Sequence, residues 1–393
     1  MREKQADRMR QIALSGIRKV FDKVQTLQAK GEEVVHLEIG RPDFDTPSHI
    51  KEAAKKALDE GFVHYTSSYG IKELREAISR KLSSENGIDA GPDEIIVTTG
   101  ANEAIFISIM ATLNPGDEVI VPDPMFVYYA DWAEFAGAKT VSLPLREENS
   151  YRIDFEGLER KITPRTKMLI INSPHNPTGC VFDRETLEEV ARIAKKYDLL
   201  VLSDEIYEKM VYDGAKHYSI ASFPGMKERT FTVNGFSKAY SMTGWRMGYV
   251  AAPKDLIPAL MKVHQHTAVC ATSFAQKGAL AALTTPSDCV GEMVKEFARR
   301  RKLVLDYLDE MEGINYVKPE GAFYIFPSIK DLGIGDEELT DYLLEEAKVA
   351  VVPGSCFGRC GKNHIRIAYS TSYENLEKGL ERMSKALKKI KGN

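Results

Sequence analysis

The stretch R-T-F-T-V-N-G-F-S-K-A-Y-S-M-T-G-W-R-M-G-Y-V, residues 229–250, is where the reading of this chain begins. Residues 230–233 read as a strand and 249–252 as a second, and between them 235–244 are rich in small and hydroxyl side chains. Lys238 therefore stands on a loop between two strands. The glycines and serines around it let backbone approach a bound group, and Arg246 adds a planar donor fork suited to phosphate. A lysine beside such a cation in a closed pocket has a lowered pKa and becomes a nucleophile toward carbonyls, as a Schiff-base lysine does. The competing reading is a solvated loop lysine, and the rest of the chain has to discriminate.

At 393 residues the chain is too long for one compact core and reads as two domains of an ordinary soluble enzyme. A net charge of -4 provides no basic field for nucleic acid and no polybasic face for anionic lipid. The amino terminus, M-R-E-K-Q-A-D-R-M-R, is charged where a signal peptide turns apolar, and no apolar run is long enough for a bilayer. A cytoplasmic protein is expected. Five scattered cysteines suit reduced thiols, and Cys356, Cys360 and His364 match no common zinc spacing, so no metal is expected.

Residues 3–30 read as an amphipathic helix with Ala13, Ile17, Val20, Phe21 and Val24 on one side. From residue 94 onward, short apolar runs at 95–97, 118–121, 140–143, 168–171, 199–202, 231–233 and 249–251 alternate with helical spacing. That is the pattern of an α/β fold, a mainly parallel seven-stranded sheet sandwiched by helices. After about residue 285 the pattern changes to a smaller α+β unit whose last helix is expected to start with a Thr371–Glu374 capping box. The expected division is a large domain of residues 46–285 and a small domain built from 1–45 and 286–393.

Sites in such sheets lie beyond the carboxyl ends of the strands. The first run ends in T-T-G-A-N-E-A, where Gly100, Ala101 and Asn102 open a helix whose free N–H groups make a phosphate cup. The run at 168–171 ends in N-S-P-H-N-P-T-G, whose prolines stiffen the turn and hold Asn176 as a donor. The run at 199–202 ends in S-D-E-I-Y; there a desolvated Asp204 needs a cation such as a protonated pyridine, and Tyr207 offers a phenol. Capping of the following segment is the alternative for Asp204. Arg366 in H-I-R-I-A is an arginine among apolar neighbours, which requires an anion, either a ligand carboxylate or a structural aspartate. Together these groups meet the needs of pyridoxal phosphate.

Through S-P-H-N-P-T-G, S-D-E-I-Y and N-G-F-S-K-A-Y-S-M-T-G-W-R-M-G-Y the sequence resembles the class I/II aminotransferases of the fold-type I pyridoxal-phosphate enzymes, of the aspartate/aromatic type, over nearly its whole length. The resemblance implies that Lys238 is the Schiff-base lysine and that Asp204 pairs with the pyridine nitrogen. Asn176 and Tyr207 would hold the ring's phenolic oxygen, while Gly100, Ala101, Asn102, Ser237 and Arg246 bind the phosphate. Arg366 would take the substrate α-carboxylate, with Asn176 and the backbone of Gly40. Phe126 falls where family members stack an aromatic ring on the cofactor, and Tyr65 where they reach the neighbouring subunit's phosphate, which implies a homodimer with shared sites.

The implied reaction is ping-pong transfer of an amino group from an L-amino acid, aspartate or aromatic in type, to a 2-oxo acid such as 2-oxoglutarate. A C–S lyase on the same fold is the alternative, and a non-catalytic regulator ranks lower. No G-x-G-x-x-G follows the first sheet strand, so a nicotinamide enzyme is not supported. Gly235 stands where some relatives carry a hydroxyl donor to the phosphate.

Overall fold

The structure is a computed structural model that describes residues 5–10, 12 and 16–391. Helix α1 (Gly16–Gln28) is followed by β1 (Val35–His36), α2 (Ser48–Asp59) and α3 (Lys72–Lys81). Next come β2 (Ile95–Thr98), α4 (Ala101–Thr112), β3 (Glu118–Asp123), α5 (Tyr128–Phe135) and β4 (Lys139–Pro144). They lead to α6 (Phe155–Lys161), β5 (Thr166–Asn172), α7 (Arg184–Lys196), β6 (Leu200–Asp204), β7 (Thr230–Gly235) and β8 (Gly248–Ala251). Helices α8 (Ile257–Thr267), α9 (Ser273–Thr284) and the long α10 (Cys289–Asp309) lead to β9 (Tyr324–Ile325), α11 (Asp336–Glu346), β10 (Val349–Ala350), β11 (Val352–Pro353), β12 (Ile365–Ala368) and α12 (Tyr373–Lys391).

All seven apolar runs are strands of one sheet, in the order β2-β8-β7-β6-β5-β3-β4, and β8 alone runs against its neighbours. The two-residue period of a strand sends alternate side chains to opposite faces. In β5, Met168 and Ile170 enter a core with α4 and α8, whereas Leu169 and Ile171 enter another with α7. Both faces are therefore covered, which is why the strands read as continuous apolar runs. Helix α7 illustrates the local logic. Asp183 caps it by accepting from Thr186 N at 2.9 Å, and Leu187, Val190, Ile193 and Ala194 form its buried stripe.

The carboxyl-terminal part builds a further core from α10, α11, α12 and strands β9 and β12, and this core also takes in Ile206, Tyr207, Met210 and Tyr212. Two local expectations are corrected. Ser372 rather than Thr371 caps α12, accepting from Asn375 N at 3.2 Å, because the helix starts at Tyr373, one residue later than a Thr371 cap requires. The expected helix over residues 3–30 is α1 preceded by a short 3-10 turn, Asp7–Arg10, and Ala13 lies outside the described residues. Among the described residues no helix is long and apolar enough to cross a membrane.

Candidate active site

Parallel pairing sets the site. Asn172 at the end of β5 lies in register with Asp204 at the end of β6, and Asp204 with Val233 of β7. The turns leaving these strands therefore open on one edge of the sheet, where a cavity of about 530 Å³ lies. Lining it are Gly40, Ala101, Asn102, Phe126, Asn176, Asp204, Tyr207, Ser237, Lys238, Arg246 and Arg366. Gly100 is the residue that caps α4 immediately before Ala101. Of the expected site residues, Tyr65 is not brought there. Its side chain is 83% exposed on the surface of its own chain.

Lys238 is half-buried and its Nζ donates to the Gly40 carbonyl at 2.6 Å. Desolvation in the cavity, reinforced by the charges of Arg366 and Arg246 and opposed by Asp204, pushes its ammonium down to about 8. Burial pushes the Asp204 carboxyl up to about 6, against hydrogen bonds from the Tyr129 hydroxyl at 2.7 Å and the Ile206 backbone N–H at 3.2 Å. Asp204 thus does cap the turn that follows β6, and it also faces the cavity.

Arg366, on β12, is buried. Its two terminal nitrogens donate to Asn176 Oδ1 at 3.2 Å and to the Glu38 carbonyl at 2.6 Å, and its Nε has no partner. The structural-aspartate alternative fails: among the described residues no carboxylate lies within ion-pair distance of Arg366. Its guanidinium lies over the rings of Tyr324 and Phe357 at 4.6 and 4.9 Å. Asn176, expected as a donor, accepts through Oδ1, and this orients its Nδ2 end as the remaining donor. The Tyr207 hydroxyl meets that of Tyr324 at 2.9 Å.

Gly100 precedes α4 with φ of +90°, and a Cβ there would fall 2.4 Å from Arg246 Nη2. Only glycine leaves room for the arginine to pack against the turn that opens the helix. Arg246 is held by the carbonyls of Thr243 at 3.1 Å and Thr99 at 3.3 Å. At Gly235 a Cβ would sit 2.9 Å from the Met247 carbonyl, so the hydroxyl donor of some relatives has no space here. Ser237 is buried at the cavity wall, and Phe126 packs edge-on against Tyr128 and Tyr129.

Sequence reasoning offered Tyr129 only as a residue that could line a side-chain pocket, which it does, and missed its bond to Asp204; it also missed Tyr324 and Glu103. Glu103 accepts from Thr99 N and Oγ1, each at 2.6 Å, and from His264 Nδ1 at 2.8 Å, which fixes the turn entering α4. The signal was present in T-T-G-A-N-E, since an acid in the first helical turn is placed to take the preceding N–H groups.

The donor set suits a phosphorylated pyridine aldehyde: an amine with a lowered pKa, a buried carboxylate, a helix start with an arginine, and an orphaned buried arginine Nε. Comparisons agree. The family model for aminotransferase class I and II matches residues 32–383. The aspartate aminotransferase of Pyrococcus abyssi is 50% identical over 389 residues, 98% of this chain and 99% of its own length. Aromatic-amino-acid aminotransferase 2 of Thermococcus litoralis is 48% identical over 389 residues, with the same 98% and 99% coverage. The aspartate aminotransferase from Thermus thermophilus solved with maleate superposes with a TM-score of 0.93 at 41% identity, covering 98% of this chain and 100% of that one. The chain belongs to the class I and II aminotransferases, and it is a transaminase that works with pyridoxal 5′-phosphate.

Proposed function

We propose that the chain moves the amino group of an L-amino acid of aspartate or aromatic type to a 2-oxo acid such as 2-oxoglutarate, in two half-reactions that share one cavity. The observation that carries this reading is the pairing, in that cavity, of Lys238 with a pKa held down to about 8 and Asp204 buried at the end of β6. When bound, pyridoxal 5′-phosphate supplies an aldehyde carbon for amines and a ring that takes up electrons from the substrate α-carbon.

Lys238 would hold the cofactor, and its amine, once freed by substrate, would take the proton from the substrate α-carbon as general base and deliver it as general acid to the carbon that had been the cofactor's aldehyde. Asp204 keeps the ring nitrogen protonated. Asn176 and Tyr207 would donate to the ring's phenolic oxygen, and Phe126 would stack on the ring. Gly100, Ala101, Asn102, Ser237 and Arg246 take the phosphate. Arg366, with Asn176 and the backbone of Gly40, takes the α-carboxylate as a planar fork.

Two arginines beyond this set, Arg18 and Arg41, also line the cavity. They favour a second carboxylate on the substrate, whereas Phe21 and Tyr128 on the same wall suit an aromatic side chain. The outward-facing Tyr65 fits a homodimer in which it reaches the neighbouring subunit's phosphate. Val63 and Val269 are exposed too, and the loop carrying Tyr65 is tied to α9 by Gln276 Nε2 donating to Thr66 Oγ1 at 2.9 Å. The same reading takes residues 46–285 as the cofactor-binding domain, 1–45 and 286–393 as the small domain, and the cytoplasm as the location, in keeping with five free cysteines.

A panel of amino donors with 2-oxoglutarate tests the reading. With donor alone, the yellow chromophore should bleach and be restored by 2-oxo acid. Steady release of ammonia with the chromophore intact would instead identify a lyase.

A further inference from the structure

Asp204 is 4% exposed and has few partners for an anion in such a place. Its Oδ1 accepts a long bond, 3.2 Å, from the Ile206 backbone N–H, and its Oδ2 accepts 2.7 Å from the Tyr129 hydroxyl, a length typical of hydrogen bonds to charged oxygen. Asn172, the other polar side chain at this strand end, donates to the Asp204 backbone carbonyl and leaves the carboxylate to others. Tyr129 has no exposed surface, and the edge of the Phe126 ring packs against it with centroids 5.7 Å apart. It cannot swing away without opening the core between α4, α5 and the sheet.

We propose that Tyr129 is a positioning residue for transamination: its hydroxyl holds Asp204 as an anion in one fixed orientation toward the cofactor's ring nitrogen. The charges around Asp204 make the need plain. Burial and the neighbouring Glu205 disfavour the anion, while the Lys238 cation favours it. Lys238 must be a neutral amine to act on carbon, and its help is then withdrawn. The Ile206 N–H and the Tyr129 hydroxyl remain. Tyr129 can serve throughout the working range because burial, followed by the Asp204 charge, raises its own pKa well above that of a free phenol, so it stays a donor. Tyr207, the other phenol near Asp204, is engaged with Tyr324.

The inference rests on Asp204 being the ring-nitrogen partner, so the experiment separates the two claims. Holoenzymes of wild type, Tyr129→Phe, Asp204→Asn and the double variant are reconstituted with ¹⁵N-labelled pyridoxal phosphate, and the ring-nitrogen signal and kcat are recorded. Tyr129→Phe should move the signal toward neutral pyridine and lower kcat about tenfold or more, the scale of one lost charge-assisted bond. In the Asp204→Asn background the same change should alter kcat less than about twofold, because the anion it serves is gone. A wild-type signal in Tyr129→Phe overturns the proposal. So does an equal loss in both backgrounds, which would mark a merely structural tyrosine. If Asp204→Asn itself leaves the signal and kcat unchanged, the assignment of Asp204 falls, and the proposal falls with it.

Discussion

Arg366 and Asn176 stand 190 positions apart in the chain, yet Nη1 of the one donates to Oδ1 of the other at 3.2 Å. The contact fixes the plane of a buried guanidinium whose Nε has no partner. Lysine offers a point charge in place of that fork. Arg366→Lys should therefore raise KM for every amino donor and acceptor alike, with kcat/KM lower by about a hundredfold, as expected for losing a bidentate charged contact of roughly 2–3 kcal/mol. Steady-state kinetics with several donors will show whether the loss is uniform, and selective loss with one donor would contradict this role.

Only the neutral amine of Lys238 attacks an aldehyde. Desolvation and the two arginines place its protonation midpoint in the folded protein at about 8, below the ordinary lysine value of 10.5. Below about pH 8 the amine is increasingly protonated, so capture of pyridoxal phosphate by the apoenzyme should slow about tenfold for each pH unit lost. Stopped-flow absorbance across pH 6–9.5 measures this, and a midpoint near that of a free lysine would refute the desolvated amine.

Gly100→Ala forces a side chain into left-handed backbone and against Arg246. The strain costs about 1–2 kcal/mol. Arg246 must shift, so the apoenzyme's dissociation constant for pyridoxal phosphate should rise about tenfold or more, while KM for the amino donor at saturating cofactor changes little. Fluorescence titration of the apoenzyme provides the first number and initial rates the second.

Arg18 and Arg41 line the cavity, and Arg18 also pairs with Asp22 at 3.0 Å on an exposed stretch of α1. If they meet a second carboxylate, Arg18→Ala and Arg41→Ala should raise KM for aspartate and 2-oxoglutarate by about two- to fivefold each, the scale of a partly exposed charge pair. Tyrosine and phenylalanine should be unaffected. The effect should weaken in high salt.

Behind Asp204, Lys81 pairs with Glu208, and Asn86 bridges them by accepting from Lys81 Nζ at 2.8 Å and donating to Glu208 at 2.7 Å. Burial disfavours the Glu208 anion, but Lys81, His217 and Lys209 overcome it and hold the carboxyl down at about 2, against 4.5 normally. A carboxyl with a depressed folded pKa stabilises the protein above its unfolded value, and that contribution is lost as pH falls from about 4.5 to about 2. Lys81→Met leaves the acid buried without its cation and should cost about 3–5 kcal/mol at neutral pH. Denaturant unfolding at pH 7 and pH 4 will show whether the penalty shrinks on acidification, as it must if Glu208 is the cause.

Much of this architecture is local in origin. Seven apolar runs with turn signals at their ends become seven sheet strands, because a strand buried on both faces has no polar positions to spare. Lys238, Asp204, Asn176 and the helix start at Gly100 were legible because each lies at or a few residues beyond the end of a strand, and parallel strands deliver their carboxyl ends to one edge. Even the position of the α12 cap was off by only one residue, with Thr371 and Ser372 equally able to serve.

By itself, then, the sequence determined the strands, the edge of the sheet that carries chemistry and the types of side chain brought there. Tertiary structure decided the partners. Tyr129 reads as one more aromatic on an amphipathic helix until α5 is packed on the sheet and its hydroxyl meets Asp204, 75 residues on. Tyr324 and Tyr207 meet across 117 residues, and Arg18 reaches the cavity only because α1 packs beside it. Periodicity records which face of an element is buried, but not against what, since hydrogen bonds between distant side chains leave no periodic trace in the chain.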